Sequence, residues 1–144
     1  MSEKINSENA PEPVGAYPHA RRAGNLLFLS GVGPRQKGSA DIPGVALDEN
    51  RNIISYDIEK QCHAVFQNVR HILEASGAQW ENLVDVTVFL TNMKADFPVF
   101  NRIYAEYFKT NQPCRTTVEV TALPTPIAIE LKCIAFLPET RPGA

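Results

Sequence analysis

Residues 113–133, PCRTTVEVTALPTPIAIELKC, contain two apolar runs that predict neighbouring strands of the protein core. Both runs are rich in β-branched residues, and the prolines between them predict a turn. Arg115 opens the first run and Glu130 interrupts the second. A charged side chain is seldom fully buried without a partner, because leaving water costs several kcal/mol per ion. Arg115 and Glu130 therefore form an ion pair, lie exposed at a sheet edge, or belong to a functional site.

A helix, a strand and a second helix are predicted on the amino-terminal side of this stretch. From Asp57 to Ser76 apolar residues recur at spacings of three and four, and Gly77 follows as a helix stop. The segment LVDVTVFL alternates and predicts a strand, after which Asp96 with Pro98 is expected to open the second helix. One face of that helix is apolar and mostly aromatic, which indicates core packing: Phe100, Ile103, Tyr104, Tyr107 and Phe108.

The first third of the chain is predicted to hold a β-hairpin and a long loop. HARRAGNLLFLSG contains two short extended runs around Gly24, which is typical of a hairpin. Residues 32–50 are rich in Gly, Pro and Asp without a clear period, and a loop of that length often borders a functional site. NIISY indicates a short third strand. The resulting order of elements favours the α+β class, with helices covering one face of a sheet.

Length and composition predict one globular domain. The chain has 144 residues, of which 44% are hydrophobic and 21% charged, as in an ordinary globular protein. We expect a single domain over residues 15–138 and a tail over residues 139–144. Residues 1–14 are polar and contain prolines, so they are expected to form a mobile arm unless a partner subunit holds them.

Charge and hydropathy argue against two classes of partner. The formal net charge is −2 and the pI is about 5.9, so no broad basic field is available for nucleic acid. No segment approaches the length of a membrane span, and no apolar run near the start resembles a secretory signal. We therefore expect a cytoplasmic protein that does not bind membranes. The three cysteines form no CxxC pair and are expected to be reduced.

The common catalytic signatures do not occur in the sequence. There is no GxSxG elbow, no GxxxxGK(S/T) loop and no GxGxxG between a strand and a helix, so nucleotide and acyl chemistry lose support. His63 and His71 lie eight positions apart, without the spacing of metal ligands, and are expected to be solvated or capping residues. His19 lies beside Tyr17 at the mouth of the hairpin, where packing is the simplest explanation.

Four segments together resemble one known family. AYPHARRAGNLLFLSG, TVFLTNMKADFPVFNRIYAEYF, PCRTTVEVTALP and IAIELKCIAF occur in this order and are similar to the reactive-intermediate deaminases, also called the Rid or YjgF type, over residues 15–137. The resemblance implies a chorismate-mutase-like α+β fold and a homotrimer whose sheets form a central barrel, with active sites between subunits. It also implies an enzyme without metal or other cofactor that hydrolyses enamines and imines to ketones and ammonia.

The resemblance assigns roles to residues of this chain. The family's arginine, which holds the substrate carboxylate, corresponds to Arg115, and the glutamate that positions the attacking water corresponds to Glu130. The matching motifs carry further candidates for substrate binding: Tyr17, Ser30, Gly31, Thr117, Phe89 and Asn92. The expected partner is a small enamine or imine carboxylate.

Within the family, the sequence is most similar to the 2-aminomuconate deaminases, through GAYPHARRAG and SGVGPR. Thr117 stands where many members have cysteine, which weakens the case for the generic substrate 2-aminoacrylate. A dicarboxylate needs a second cation, and Arg35 and His19 are candidates because they lie in the segments that depart from the generic pattern. The alternative for Arg35 is a solvated loop charge.

Three functions stay open on the sequence alone. They are a dedicated 2-aminomuconate deaminase of aromatic-compound degradation, a broad enamine and imine deaminase that acts on 2-aminoacrylate, and a trimeric binding or chaperone-like protein without turnover. Arg115 together with Glu130 argues against the last, since a pure binder has no evident need for a water-activating acid. A ribonuclease role gains nothing from the net charge or from any histidine pair. Whether trimers pair into hexamers also stays open.

Overall fold

A computed structural model describes residues 2–138, and the expected tail at residues 139–144 lies outside them. Within this range the chain forms strands, two α-helices and a short 3-10 helix at Trp80–Asn82. The strands are β1 (Ser2–Ile5), β2 (Ala20–Ala23), β3 (Leu26–Leu29), β4 (Val45–Leu47), β5 (Ile53–Tyr56), β6 (Leu83–Leu90), β7 (Cys114–Glu119) and β8 (Ile129–Phe136). The α-helices are α1 (Ile58–Ala75) and α2 (Met93–Tyr107).

Six of the strands form one sheet in the order β1-β2-β3-β8-β6-β7. Neighbouring strands are antiparallel except β6 and β7, which are parallel and connected through α2. β4 and β5 form a separate two-stranded ribbon. Both α-helices pack on one face of the large sheet, where alternate residues of β6 and β8 are buried, and the other face is open. The predicted α+β class with two helices on one face is confirmed.

α1 begins and ends where the sequence predicts. The Asp57 side chain caps it by accepting hydrogen bonds from the N–H groups of Glu59 and Lys60, and Gly77 follows its end with a φ of 72°. The predicted apolar face is buried, at about 1.5 to 3 kcal/mol of stabilisation for each large side chain. Its members are Ile58, Cys62, Val65, Phe66, Val69, Ile72 and Leu73.

The predicted start of α2 at Asp96 is wrong. The helix begins at Met93, because the Asn92 side chain accepts a hydrogen bond from the Ala95 N–H at 3.1 Å and so caps the first turn. Asp96 is instead buried inside the helix, where its Oδ2 accepts a 2.6 Å hydrogen bond from the Tyr56 hydroxyl. The predicted aromatic face is confirmed as core, since Phe100, Ile103, Tyr104 and Phe108 are buried and the half-buried Tyr107 packs against them.

The structure corrects two predictions for the first third of the chain. The expected arm at residues 1–14 contains β1, which pairs with β2 at the edge of the sheet, and its Ala10 is fully buried. The expected loop at residues 32–50 contains β4, which is too short to show a period and forms a strand because β5 supplies its hydrogen-bonding partner. The hairpin of β2 and β3 is confirmed, with Gly24 in its turn at a φ of 61°.

Candidate functional site

Arg115 and Glu130, the two charged residues singled out in the sequence, lie on opposite faces of the large sheet. Arg115 on β7 is paired with Val86 of β6, which is fully buried on the helix-covered face. Glu130 on β8 is paired with Phe89 of β6, which points to the open face. Because directly paired residues share a face and successive residues alternate, the register places the two charges on different sides.

The Arg115 side chain is held against α2. Its Nη1 donates a 2.9 Å hydrogen bond to Asn101 Oδ1, and its guanidinium carbon lies 4.7 Å from the centre of the Tyr104 ring. The ion pairs within residues 2–138 are Lys37 with Glu12 and Arg102 with Glu59, so the possible salt bridge between Arg115 and Glu130 does not form. A guanidinium without an ion-pair partner can bind a carboxylate through two parallel N–H donors.

A cleft of about 340 Å³ opens beside Arg115, within the range of about 300 to 1,000 Å³ that is typical of small-molecule sites. Its walls come from α2 and from the segment between α2 and β7. Thr117 follows Arg115 on the same face of β7, and its buried hydroxyl has no hydrogen-bond partner within residues 2–138. A ligand at this end of β7 would give that hydroxyl a partner.

Glu130 is a half-buried carboxyl packed against the backbone of Gly31. A methyl group at Gly31 would lie 2.8 Å from Glu130 Oε2, so the absence of a side chain at Gly31 lets the carboxyl approach. Burial removes water from this group and raises its pKa above the ordinary glutamate range. A carboxyl with a raised pKa exchanges protons more readily near neutral pH, as general acid and base catalysis requires.

Several of the predicted site residues come together around a small pocket next to Glu130: Tyr17, Ser30, Gly31 and Arg35. The Ser30 hydroxyl donates a 2.7 Å hydrogen bond to the Pro18 carbonyl, which orients its oxygen lone pairs. Arg35 Nη2 donates a 2.9 Å hydrogen bond to the Glu12 carbonyl. Residues of the segment 32–50, Arg35 among them, therefore line the pocket beside Glu130.

His19 lines the same pocket, but both of its ring nitrogens are hydrogen-bonded to the backbone. Its Nδ1 accepts a 2.8 Å hydrogen bond from the Ser7 N–H, and its Nε2 lies 2.7 Å from the Pro11 carbonyl. These partners require the neutral tautomer with its proton on Nε2, since a protonated Nδ1 would face another N–H. The prediction that His19 offers a positive charge to the far carboxylate is therefore wrong. The ring instead ties the segment after β1 to the hairpin.

The two weaker candidates are placed differently. Phe89 is half-buried and lies directly across from Glu130, so it belongs to the surroundings of that carboxyl. Asn92 uses its side-chain oxygen as the cap of α2, and it lines a separate cleft of about 470 Å³ with Tyr56 and Thr91. Its role in capping α2 explains its position without any ligand.

Two polar residues of the Arg115 cleft were not among the predicted site residues. Asn101 lies on α2 within the predicted aromatic stretch, and Lys109 lies just beyond the end of α2. The sequence gives a weak indication of Asn101, since this polar residue interrupts an apolar stretch. It gives no indication of Lys109, because the position of Lys109 beside Arg115 depends on how α2 packs against β7.

Within residues 2–138, none of the helices has the length and apolar character that crossing a bilayer requires. The same residues contain no group of three or more His, Cys, Asp or Glu side chains that could hold a metal ion.

The family profile described as Endoribonuclease L-PSP (Ribonuc_L-PSP) matches residues 7–137. The chain belongs to this family. Its similarity to a RutC family protein of Pyrococcus horikoshii is 39% identity over 136 residues, which cover 94% of this chain and 98% of that protein. The aligned region is nearly the whole of both chains.

Two further relatives connect the family to the sequence-based prediction. Reactive Intermediate Deaminase A of Arabidopsis thaliana is 40% identical over 135 residues, which cover 94% of this chain and 66% of that longer protein. The crystal structure of the YjgF gene product of E. coli superposes with a TM-score of 0.79 at 30% identity, and covers 93% of this chain and 98% of that one. The predicted relationship to the YjgF-type, or Rid, proteins is confirmed.

Proposed function

We propose that this protein is a hydrolytic deaminase that converts the enamine dicarboxylate 2-aminomuconate to 4-oxalocrotonate and ammonia. The relative named Reactive Intermediate Deaminase A supports deamination of an enamine or imine in general. The observation that carries the proposal is that Arg115 and Glu130, at the two positions of the family's clamp and acid, both lack an ion-pair partner within residues 2–138. Each is therefore free to act on a substrate.

The catalytic site is completed between two subunits of a homotrimer. A small substrate does not reach both Arg115 and Glu130 through one sheet, because they lie on its two faces. The open face supports association, since it carries apolar side chains that are 36% to 45% exposed: Leu26, Phe28, Val118 and Phe136. A second copy that covers this face removes apolar surface from water and brings its own cluster to the edge of the first.

Arg115 binds the carboxylate next to the amino carbon. Two parallel N–H donors of the guanidinium match the two oxygens of a carboxylate, and the hydrogen bond to Asn101 holds the fork in place. The unpartnered hydroxyl of Thr117, on the same face of β7, is available as a further donor. This orientation presents the amino carbon to the Glu130 cluster of the neighbouring subunit.

The reaction needs only proton transfers and one water. The enamine takes a proton on carbon and loses one from nitrogen, which gives the imine. Glu130 then accepts a proton from water as the water oxygen forms a bond to the imine carbon, while the nitrogen takes the π pair and a proton from solvent. In the resulting carbinolamine the hydroxyl group loses its proton to solvent as the ketone forms, and Glu130 returns its proton to the nitrogen, so that ammonia leaves as the carbon–nitrogen bond breaks. The raised pKa of Glu130 suits the alternation between base and acid.

RNA cleavage, which the family description names, is less well supported in this chain. The net charge is −2, and both ring nitrogens of His19 are engaged by the backbone of Ser7 and Pro11. His63 contacts the Tyr107 hydroxyl on the helical side of the molecule. We therefore propose deamination alone.

The test is ammonia release from 2-aminomuconate, generated in the cuvette, and from 2-aminoacrylate, for the parent protein and for R115A and E130Q. We expect turnover of the dicarboxylate to exceed that of 2-aminoacrylate, and to fall by at least about 100-fold in each variant. Preference for 2-aminoacrylate would replace the proposal with a broad deaminase. Absence of acceleration with either substrate would overturn deamination and leave a binding protein.

A further inference from the structure

We propose that Lys109 binds the far carboxylate of the substrate and so sets the preference for a dicarboxylate over a monocarboxylate; this inference rests on the proposed function. Neither the family motifs nor the sequence analysis assigns a role to Lys109. The two candidates from the sequence lie elsewhere, because His19 and Arg35 both line the pocket beside Glu130, where the backbone engages both ring nitrogens of His19. Lys109 shares the cleft of Arg115 itself.

Among residues 2–138, the residues that line the Arg115 cleft include two cations and no carboxylate. Arg115 and Lys109 both line it, and its other polar walls are the neutral amides of Asn101 and Gln112. Within residues 2–138, neither cation forms an ion pair. Two like charges in one cleft without a counter-ion repel each other, and a ligand with two negative charges removes that repulsion. The composition of the cleft therefore matches a dianion.

Arg115 and Lys109 line the cleft from two separate segments. The Arg115 guanidinium on β7 lies over the Tyr104 ring, and Lys109 lies two residues beyond the end of α2 at Tyr107. The five bonds between the carboxyl carbons of an extended six-carbon diacid span about 6 Å. The long, flexible lysine side chain lets its ammonium group adjust to the position of the second carboxylate.

The cleft also provides apolar contact. Tyr104 and Phe108 line it with the small part of each residue that stays outside the core, at exposures of 9% and 4%. A conjugated chain between two carboxylates is flat and apolar, so it packs against aromatic surface of this kind.

The experiment compares two inert ligands with the same six-carbon skeleton, trans,trans-muconate with two carboxylates and sorbate with one. Their dissociation constants are measured by titration calorimetry for the parent protein and for K109Q, with K94Q as the matched control. Lys94 is an exposed lysine on the first turn of α2, outside the residues that line the cleft. R115A measures how much affinity is lost when the side chain that binds the near carboxylate is removed.

We expect the parent to bind muconate roughly tenfold more tightly than sorbate, and K109Q to lose this preference while its affinity for sorbate is unchanged. K94Q should behave as the parent, and R115A should weaken both ligands. Muconate binding that is unaffected by K109Q, or an equal affinity of the parent for the two ligands, would overturn the inference.

Turnover separates this inference from the proposed function. If 2-aminomuconate is deaminated and K109Q leaves the KM for it unchanged, Lys109 is not the far-carboxylate residue, while the function stands. If muconate binding depends on Lys109 but 2-aminomuconate is not deaminated, the cleft binds a dicarboxylate as inferred and the proposed reaction is wrong.

Discussion

Arg115 and Glu130 lie on opposite faces of one sheet, Arg115 opposite the buried Val86 and Glu130 opposite the open-face Phe89. They are separated by the thickness of the sheet and form no ion pair. A reaction that uses both side chains on one small substrate therefore needs two copies of the chain. If the two side chains act together, each catalytic site contains residues of two subunits. Mixing subunits that carry different substitutions tests this arrangement.

Mixed trimers of R115A and E130Q should recover activity that neither variant has alone. A site is complete when an E130Q subunit supplies Arg115 and its neighbour, an R115A subunit, supplies Glu130. In a trimer that contains both variants, one of the three sites meets this condition, so we expect about a third of the parent activity. The measurement is ammonia release from co-expressed, doubly tagged trimers.

The control for mixing is the double variant R115A/E130Q co-expressed with R115A. No subunit of this mixture supplies Arg115, so its sites should all be incomplete. Mixed R115A and E130Q trimers with no more activity than this control would show that Arg115 and Glu130 do not act together across an interface.

A methyl group at Gly31 should impair catalysis without unfolding the protein. In G31A the new methyl lies 2.8 Å from Glu130 Oε2 and 3.0 Å from Cδ, so the carboxyl must shift. The shifting group is the end of a flexible side chain, so we expect little change in thermal unfolding. A misplacement on the order of 1 Å costs up to about 100-fold in rate, and we expect kcat to fall at least tenfold. An unchanged kcat would contradict the role of Glu130.

E130Q should become more stable relative to the parent as the pH rises. Burial raises the pKa of Glu130 above its ordinary value of 4.5, because the folded state disfavours the ionised carboxyl. Below pH 4.5 the carboxyl is neutral in both folded and unfolded chains, and its contribution to stability is fully present. As the pH rises through the raised pKa, the parent loses this contribution and E130Q does not.

The measurement for this linkage is urea unfolding of both proteins at a series of pH values from acid to neutral. The difference in free energy of unfolding between E130Q and the parent should increase through this range. A difference that is constant with pH, or that changes in the opposite direction, would show that Glu130 is not desolvated in the folded protein.

Removal of the Tyr56 hydroxyl should destabilise the protein. This hydroxyl donates a 2.6 Å hydrogen bond to the buried Asp96, and burial raises the pKa of Tyr56 to about 12. Y56F leaves the Asp96 carboxyl without that donor, so we expect the free energy of unfolding at neutral pH to fall by about 1 to 3 kcal/mol. Denaturant unfolding at fixed pH measures the loss.

The matched control is Y107F, since within residues 2–138 the Tyr107 hydroxyl is hydrogen-bonded to the exposed His63 ring alone and should contribute at most about 0.5 kcal/mol. In the double variant Y56F/D96N the losses should be less than additive, because each substitution removes the same buried interaction. Additive losses would show that Tyr56 and Asp96 stabilise the fold independently.

Much of the fold was predictable because its signals are local. The apolar period between Asp57 and Ser76 and the stop at Gly77 are properties of α1 itself, and α1 follows them. The start of α2 was not predictable in this way, since Asn92 and Asp96 are both residue types that begin helices and only Asn92 caps this one. β1 and β4 were missed because such short strands form only when β2 and β5 offer hydrogen-bonding partners.

The candidate site was predictable as a set of residues and not as an arrangement. The motifs named both Arg115 and Glu130, and they named Tyr17, Ser30 and Gly31 of the Glu130 cluster. His19 was misassigned because its hydrogen bonds to the backbone, which hold it neutral, join residues far apart in the sequence.

By itself, the sequence determined the class of the fold, its main helices and strands, and the identity of the two charged residues in its apolar strands. Hydrophobic periodicity, helix caps and turns depend on a few neighbouring residues, so they can be predicted from the sequence. The tertiary structure alone decided the faces of Arg115 and Glu130, the neutral state of His19 and the place of Lys109 beside Arg115. These depend on strand register and helix packing, which join distant segments through contacts that no local pattern encodes.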